Sequence, residues 1–273
     1  MSQHPPNLRN HKVEIHLWWI TATLIAINVA LFAWQVLNGM NISNPSPQDA
    51  IRWGADYAPL TFLAEPIRLF SSMFFHFGLV HLMLNMWALY IFGSVSEQLF
   101  GRAYFIVLYV CAGLMGSLLS GYVSIQASYN LLEQGVANPK LLPSVGAGAS
   151  GAVMGLGAAL TVLALLPQLP RQKFLLDGKT LVIVMALNLG MGFMISGINN
   201  AAHIGGMLMG AAMTLIWYIG QRSKHSNLVN GFAMLLAPLG CAVFYWYCQQ
   251  LIDPLQPLWQ ELLSMMQRSL GST

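Results

Sequence analysis

Charge is what this chain lacks. Lys, Arg, Asp and Glu make up 8% of its 273 residues, where an ordinary soluble domain carries roughly 25%. A surface wetted on every side cannot be built from that stock. The net charge of +3, from 12 Lys+Arg against 9 Asp+Glu, is small and dispersed. It excludes a nucleic-acid-binding face. Cysteine is scarce too: Cys111, Cys241 and Cys248 all fall in apolar stretches and none has CxxC or other metal spacing, so buried packing is their expected role. The metalloprotease pattern HExxH is missing. The stretch Met1–Lys12 is polar and no small-residue cleavage site follows the first apolar run, so that run is expected to stay in the membrane rather than be removed.

What is abundant is hydrocarbon, with 56% hydrophobic residues. A bilayer core about 30 Å thick needs about 20 mostly apolar residues per helical crossing. Charge-poor apolar runs occur at about 17–37, 79–92, 104–123, 151–166, 181–195, 201–219 and 232–248. They predict an all-α membrane protein, a polytopic helical bundle of seven crossings. Several runs are shorter than the ideal span, so their ends extend into flanking residues or the bilayer thins around them.

Residues 38–68 form a long connection broken by Gly39, Pro45, Pro47, Gly54, Pro59 and Pro66, yet carrying Trp53, Tyr57, Leu60 and Phe62. That mixture suggests a folded loop partly immersed at the interface. Residues 124–148 are polar and are expected to be an aqueous connection. After Pro257, Leu258, Trp259, Leu262, Leu263 and Met266 repeat at helical spacing, the pattern of an amphipathic helix on the membrane surface. Basic residues set the orientation. With the N-terminus inside, Arg9, Lys12, Arg102, Arg171, Lys173, Lys179, Arg222 and Lys224 lie inside, and Arg52, Arg68, Lys140 and Arg268 outside. The positive-inside rule favours N-inside, C-outside.

Strongly polar groups at membrane depth are costly and mark candidate sites. Four qualify: His81, Asn85, Ser150 and His203. The topology places His81, Ser150 and His203 at the outer starts of the second, fourth and sixth spans. Ser150 lies in Gly148-Ala149-Ser150-Gly151, where a glycine-rich loop turns into a helix. Its hydroxyl sits beside unpaired N–H groups at the positive end of the dipole, which would stabilise a developing oxyanion. A serine there is equally an ordinary N-cap. His203 lies in Ala202-His203-Ile204-Gly205-Gly206, and Ala202, Gly206 and Gly210 recur every fourth residue. The fourth span carries a matching strip, Gly151, Gly155 and Ala159. Packing small face on small face brings the outer ends together and makes Ser150 and His203 candidate hydrogen-bond partners. A histidine merely bonded between helices is the alternative. His81 and Asn85, four apart, share a helix face and offer two donors toward one point, although Asn is also routine interhelical glue. No Asp or Glu falls well inside any run; the nearest, Glu97, follows the second. A hydrolytic site would therefore be a Ser–His dyad.

Leu-Val-His81-Leu-Met-Leu-Asn85 preceded by His76, then Gly148-Ala149-Ser150-Gly151, then Ala202-His203-Ile204-Gly205-Gly206, in this order and on these spans, resembles the rhomboid family of intramembrane serine proteases. Arg68, Glu97 and Gly101 also resemble the family pattern, and the match covers about residues 68–210. The seven spans are similar to the variant with one helix added after a six-helix core. The resemblance implies a short cytoplasmic N-terminal tail (1–16), a catalytic six-helix domain (17–220), a loop with the seventh helix (221–250) and an amphipathic C-terminal tail (251–273). It implies Ser150 as nucleophile and His203 as general base. His81, Asn85 and the Ser150 N–H become the oxyanion donors, with His76, Gly148, Gly151, Met154 and Gly206 in support. No cofactor and no metal are implied. Partners are the lipid bilayer and transmembrane protein substrates, cut near the outer end of a helix rich in small or helix-destabilising residues, and the expected setting is a bacterial cytoplasmic (inner) membrane. Two positions depart from the pattern. Met154 stands where many members place an aromatic ring, and Ile67 precedes Arg68 where tryptophan is frequent; Met is soft enough to pack under an imidazole.

Two other classes remain open. A rhomboid-like protein that binds membrane clients without cutting them would be marked by a missing Ser or His, and both are present. A metalloprotease or metal transporter would use His76, His81 and His203, but no carboxylate accompanies them at the outer face. Residues 195–201, with Gly197, Asn199 and Asn200 beside Phe193 and Met194, are the candidate lid over the site.

Overall fold

The computed structural model describes residues 15–134, 141–169, 176–194 and 199–271. The polar N-terminus, residues 1–14, lies outside them. Seven long helices follow the seven apolar runs: α1 (Trp19–Leu37), α5 (Leu79–Phe100), α6 (Arg102–Gln134), α7 (Ser150–Leu165), α8 (Gly178–Met194), α9 (Asn200–Gln221) and α10 (Ser226–Leu251). Five of these, α1, α5, α6, α9 and α10, are long and apolar enough to cross a membrane, and α7 and α8 are shorter apolar helices. The chain is a polytopic helical membrane protein.

Between α1 and α5 the connection folds as expected into short elements: α2 (Pro47–Arg52), β1 (Asp56–Tyr57), α3 (Ala58–Leu63), α4 (Arg68–Ser71) and a 3-10 turn (Ser72–Phe74). Ser46 and Asp49 form a capping box that starts α2, satisfying two orphan donors reciprocally. Arg68 is buried and ties the loop together, its guanidinium donating to the carbonyls of Ile51 (2.7 Å) and Ala55 (3.0 Å) and pairing with Glu65 at 2.8 Å. β1 pairs antiparallel with β2 (Val145–Gly146), Asp56 opposite Gly146 and Tyr57 opposite Val145.

Three expectations need correction. The second span does not end near residue 92: α5 runs to Phe100 and takes Glu97 inside it, buried. The carboxylate is tolerated because the first turn of α1 solvates it, through the N–H groups of Ile20 (3.1 Å) and Thr21 (2.8 Å) and the Thr21 hydroxyl (2.8 Å). Those backbone donors have no partner within their own helix. The polar stretch after residue 123 is not all loop, since α6 continues to Gln134 with Ser124 and Ser128 buried. The C-terminal segment forms α11 (Gln256–Gly271) as its spacing predicts, but it does not simply float on a lipid surface. Trp259 is fully buried, its indole N–H donating to Ser128 Oγ at 3.0 Å.

Candidate active site

Helix α7 is the centre of the bundle. Its face from Gly151 to Leu160 is buried throughout, and 16 residues give it a length of about 24 Å, short of the hydrocarbon thickness. Small residues let its neighbours come close. A Cβ at Gly206 of α9 would fall against the Gly151 carbonyl oxygen, and one at Gly210 against that of Gly155. Helix α6 joins the same seam, since a Cβ at Gly116 would stand 2.6 Å from the Ala202 oxygen and 3.4 Å from the Gly151 Cα. The Gly151/Gly155 and Gly206/Gly210 strips thus meet as their spacing predicts. The part of Gly116 was not foreseen, though Gly113 and Gly116 on the third run were its visible signal.

That packing sets Ser150 and His203 on the first turns of two adjoining helices, each beside a residue in the seam. Ser150 is half-buried and His203 buried. Among the described residues the His203 Nδ1 has no hydrogen-bond partner, and no bond joins the ring to the Ser150 hydroxyl. Asn199 starts α9, its side-chain oxygen accepting the Ala202 N–H at 3.0 Å while its amide donates to Ser120 Oγ at 2.6 Å.

The loop before Ser150 turns at Gly148, where φ is +121°, a conformation that L side chains avoid. A Cβ there would also stand 2.8 Å from His81 Cε1, 3.0 Å from His81 Nε2 and 3.7 Å from Ser150 Oγ. The His81 ring and the Ser150 hydroxyl therefore flank the same bare glycine. His81 Nδ1 accepts the Phe77 N–H at 3.2 Å, so a neutral ring carries its proton on Nε2, the atom facing Gly148. His81 is thereby set as a donor. Asn85 is buried one turn deeper, and its amide donates to the His81 carbonyl at 2.9 Å. An amide has two N–H groups, so one remains for another acceptor.

His76 buttresses the turn rather than entering it. Its Nε2 accepts the Ala149 N–H at 3.4 Å, and its ring stands edge-on to His81 with centroids 5.3 Å apart. Burial, helped by His81, holds its imidazole far below the usual range, at about 3. The Ser72 carbonyl accepts the Gly148 N–H at 2.9 Å. That backbone contact had no sequence signal. Met154 is buried with Ala158 and Met185, against Met207 one turn below His203. Among the described residues no three His, Cys, Asp or Glu side chains are grouped to hold a metal ion. Of the candidate lid, residues 195–198 lie outside the described residues, while Phe193 is exposed.

Comparison with known proteins shows the family. The Rhomboid domain family matches residues 63–220, which contain every residue of the site. The chain is 31% identical over 191 residues to Rhomboid protease GluP of Bacillus subtilis, covering 70% of this chain and 33% of that protein. It is 26% identical over 259 residues to Rhomboid protease AarA of Providencia stuartii, covering 89% of each. It is 28% identical over 242 residues to the mitochondrial RHOMBOID-like protein 6 of Arabidopsis thaliana, covering 78% of this chain and 73% of that one. The chain thus spans a third of the length of the first of these relatives and most of the other two. With a match over more than half its length, on the segment that carries the glycine seam and the histidine pair, this chain belongs to the rhomboid family.

Proposed function

We propose that this protein is an intramembrane serine endopeptidase that cuts transmembrane substrates with a Ser150–His203 dyad. The observation that carries the reading is the seam of Gly151, Ala202 and Gly206, which registers the first turn of α7 against the first turn of α9. In the reaction, the Ser150 hydroxyl attacks the scissile carbonyl carbon and its proton passes to His203. A base within reach makes an otherwise weak nucleophile useful. The negative charge that develops on the carbonyl oxygen is met by the Ser150 N–H at the start of α7, the His81 Nε2–H and the free N–H of Asn85. His203 then gives its proton to the leaving amine, and water attacks the acyl-enzyme to release the acid and restore the serine.

Among the described residues no carboxylate bonds to His203, in keeping with a two-residue mechanism. With the N-terminus on the cytoplasmic side, the site opens toward the outer face. The bilayer is the environment of the substrate as well as of the enzyme, and membrane proteins with a weakened helix near that face are the substrates that fit.

One observation favours a second reading, a client-binding protein without cleavage: no hydrogen bond joins Ser150 to His203. Contacts between catalytic groups are often long before substrate binds, so the bond forms on this proposal in the loaded site. The test is cleavage of a transmembrane peptide by the purified protein in liposomes. Activity that vanishes in Ser150→Ala supports the protease; binding without cleavage by the wild type supports the client-binding protein.

A further inference from the structure

The seventh helix and α11 lie outside the family core, yet they grip the loop that bears on the site. Below its outer end α10 lines a groove of ≈ 270 Å³ with Leu114 and Leu118 of α6 and Leu69 of α4, through its Cys241 and Tyr245, and the buried Cys241 thiol donates to the Cys111 carbonyl of α6 at 3.7 Å. Its attachment at the outer end is polar and specific. Gln249 donates through Nε2 to the Phe62 carbonyl of α3 at 3.0 Å and to the Tyr245 hydroxyl at 2.7 Å. The Phe62 ring stacks on Tyr245 with centroids 5.8 Å apart and abuts α6 where a Cβ at Gly121 would stand 2.5 Å from it. The Tyr129 hydroxyl donates to the Leu251 carbonyl at 2.6 Å, and Trp259 closes the clasp on Ser128.

The gripped loop leads straight to the nucleophile. Thr61, beside Phe62, donates to Asp56 Oδ1 at 2.6 Å and accepts the Tyr57 N–H at 3.3 Å. Asp56 and Tyr57 are β1, paired with Gly146 and Val145. Two residues after Gly146 comes Gly148, whose positive-φ turn sets Ser150 and His81 on either side of it. We infer that α10 and α11 form a brace that holds residues 145–148 in register, with Gln249 as a positioning residue for Ser150. The inference rests on the reading of Ser150 as nucleophile. The seventh helix is then a working part of the site, acting through α3 and β1.

The test uses the full chain in detergent, comparing wild type with Gln249→Met, which keeps length and loses the donors, and with Trp259→Phe, which keeps a buried ring and loses its N–H. Amide hydrogen exchange is read at residues 145–148 and at residues 20–21, at the far end of the bundle, beside the rate at which a phosphonate modifies Ser150. Losing one hydrogen bond is expected to speed exchange at 145–148 by about three- to tenfold, leave 20–21 unchanged, and slow phosphonate modification by a similar factor. Exchange at 145–148 equal to wild type in both variants, or raised no more than at 20–21, overturns the brace. A wild type that no phosphonate labels at Ser150 overturns the nucleophile instead, and the exchange measurement still decides whether α10 holds the strand.

Discussion

Gly206 of α9 rests on the carbonyl of Gly151 in α7, leaving no room for a Cβ between them. The same helices carry the hydroxyl one residue before Gly151 and the imidazole three before Gly206. For the proposed dyad, closeness of backbones is therefore a condition for the chemistry.

Gly206→Ala is expected to lower both thermal stability and turnover, because the new methyl meets backbone and only a shift of α9 relieves it. Gly210→Ala meets the Gly155 carbonyl, farther from the site. It is expected to lower the melting temperature while turnover per folded molecule changes less. Equal loss of turnover in the two would mean that the seam does not register the dyad.

Ser150→Ala and His203→Ala are each expected to abolish cleavage with melting temperatures within a few degrees of wild type. The double variant should be no worse than either single one, since the two residues act as a unit. Rate losses that multiply would mean that they act separately.

Much of this was legible beforehand, and the misses have physical causes. Apolar runs reveal lipid-facing helices because hydrocarbon tolerates nothing else, but they undercount where a helix leaves the lipid. Residues 124–134 are polar and still helical, because no glycine or proline interrupts them before Gly135 and Ser128 has Trp259 as a partner. Glu97 reads as a boundary until the α1 donors that solvate it are known. The glycine strips announced the α7–α9 contact correctly because spacing of four is a property of one helix. The β1–β2 pair and the clasp of Gln249 on Phe62 depend on segments far apart in the chain, with no local signature, whereas the Phe77 contact that sets the His81 proton is local, spanning four residues.

Acidity should separate two buried groups in the loops. Burial raises Asp56 to about 6, against the lowering effects of Thr61 and Arg68, while His76 is held at about 3. The folded state therefore binds a proton at Asp56 more tightly than the unfolded chain, and this contribution to stability falls as pH rises from about 4 to 6. His76 acts in the opposite sense, its contribution falling as pH drops from about 6.5 toward 3. Asp56→Asn removes the first slope and leaves the second. Melting temperature should then climb more steeply between pH 4 and 6 in the variant than in wild type, and unchanged steepness would mean that Asp56 does not titrate in this window.

Asn85→Ala is expected to cut turnover by roughly 10²–10³, the usual effect of losing one preorganised oxyanion donor, with serine modification by a phosphonate weakened but present. If the Asn85 amide serves only its bond to the His81 carbonyl, melting temperature falls and turnover of the folded fraction is unchanged. Both quantities measured on one preparation separate the two roles.

The central claim is that Ser150 is a nucleophile activated by His203, and mass spectrometry after treatment with a fluorophosphonate tests it most directly. The account predicts one adduct, located on Ser150, that forms in wild type and fails to form in His203→Ala although that variant remains folded. An adduct that forms equally fast in His203→Ala, or none on Ser150 in a folded wild-type protein, would contradict it.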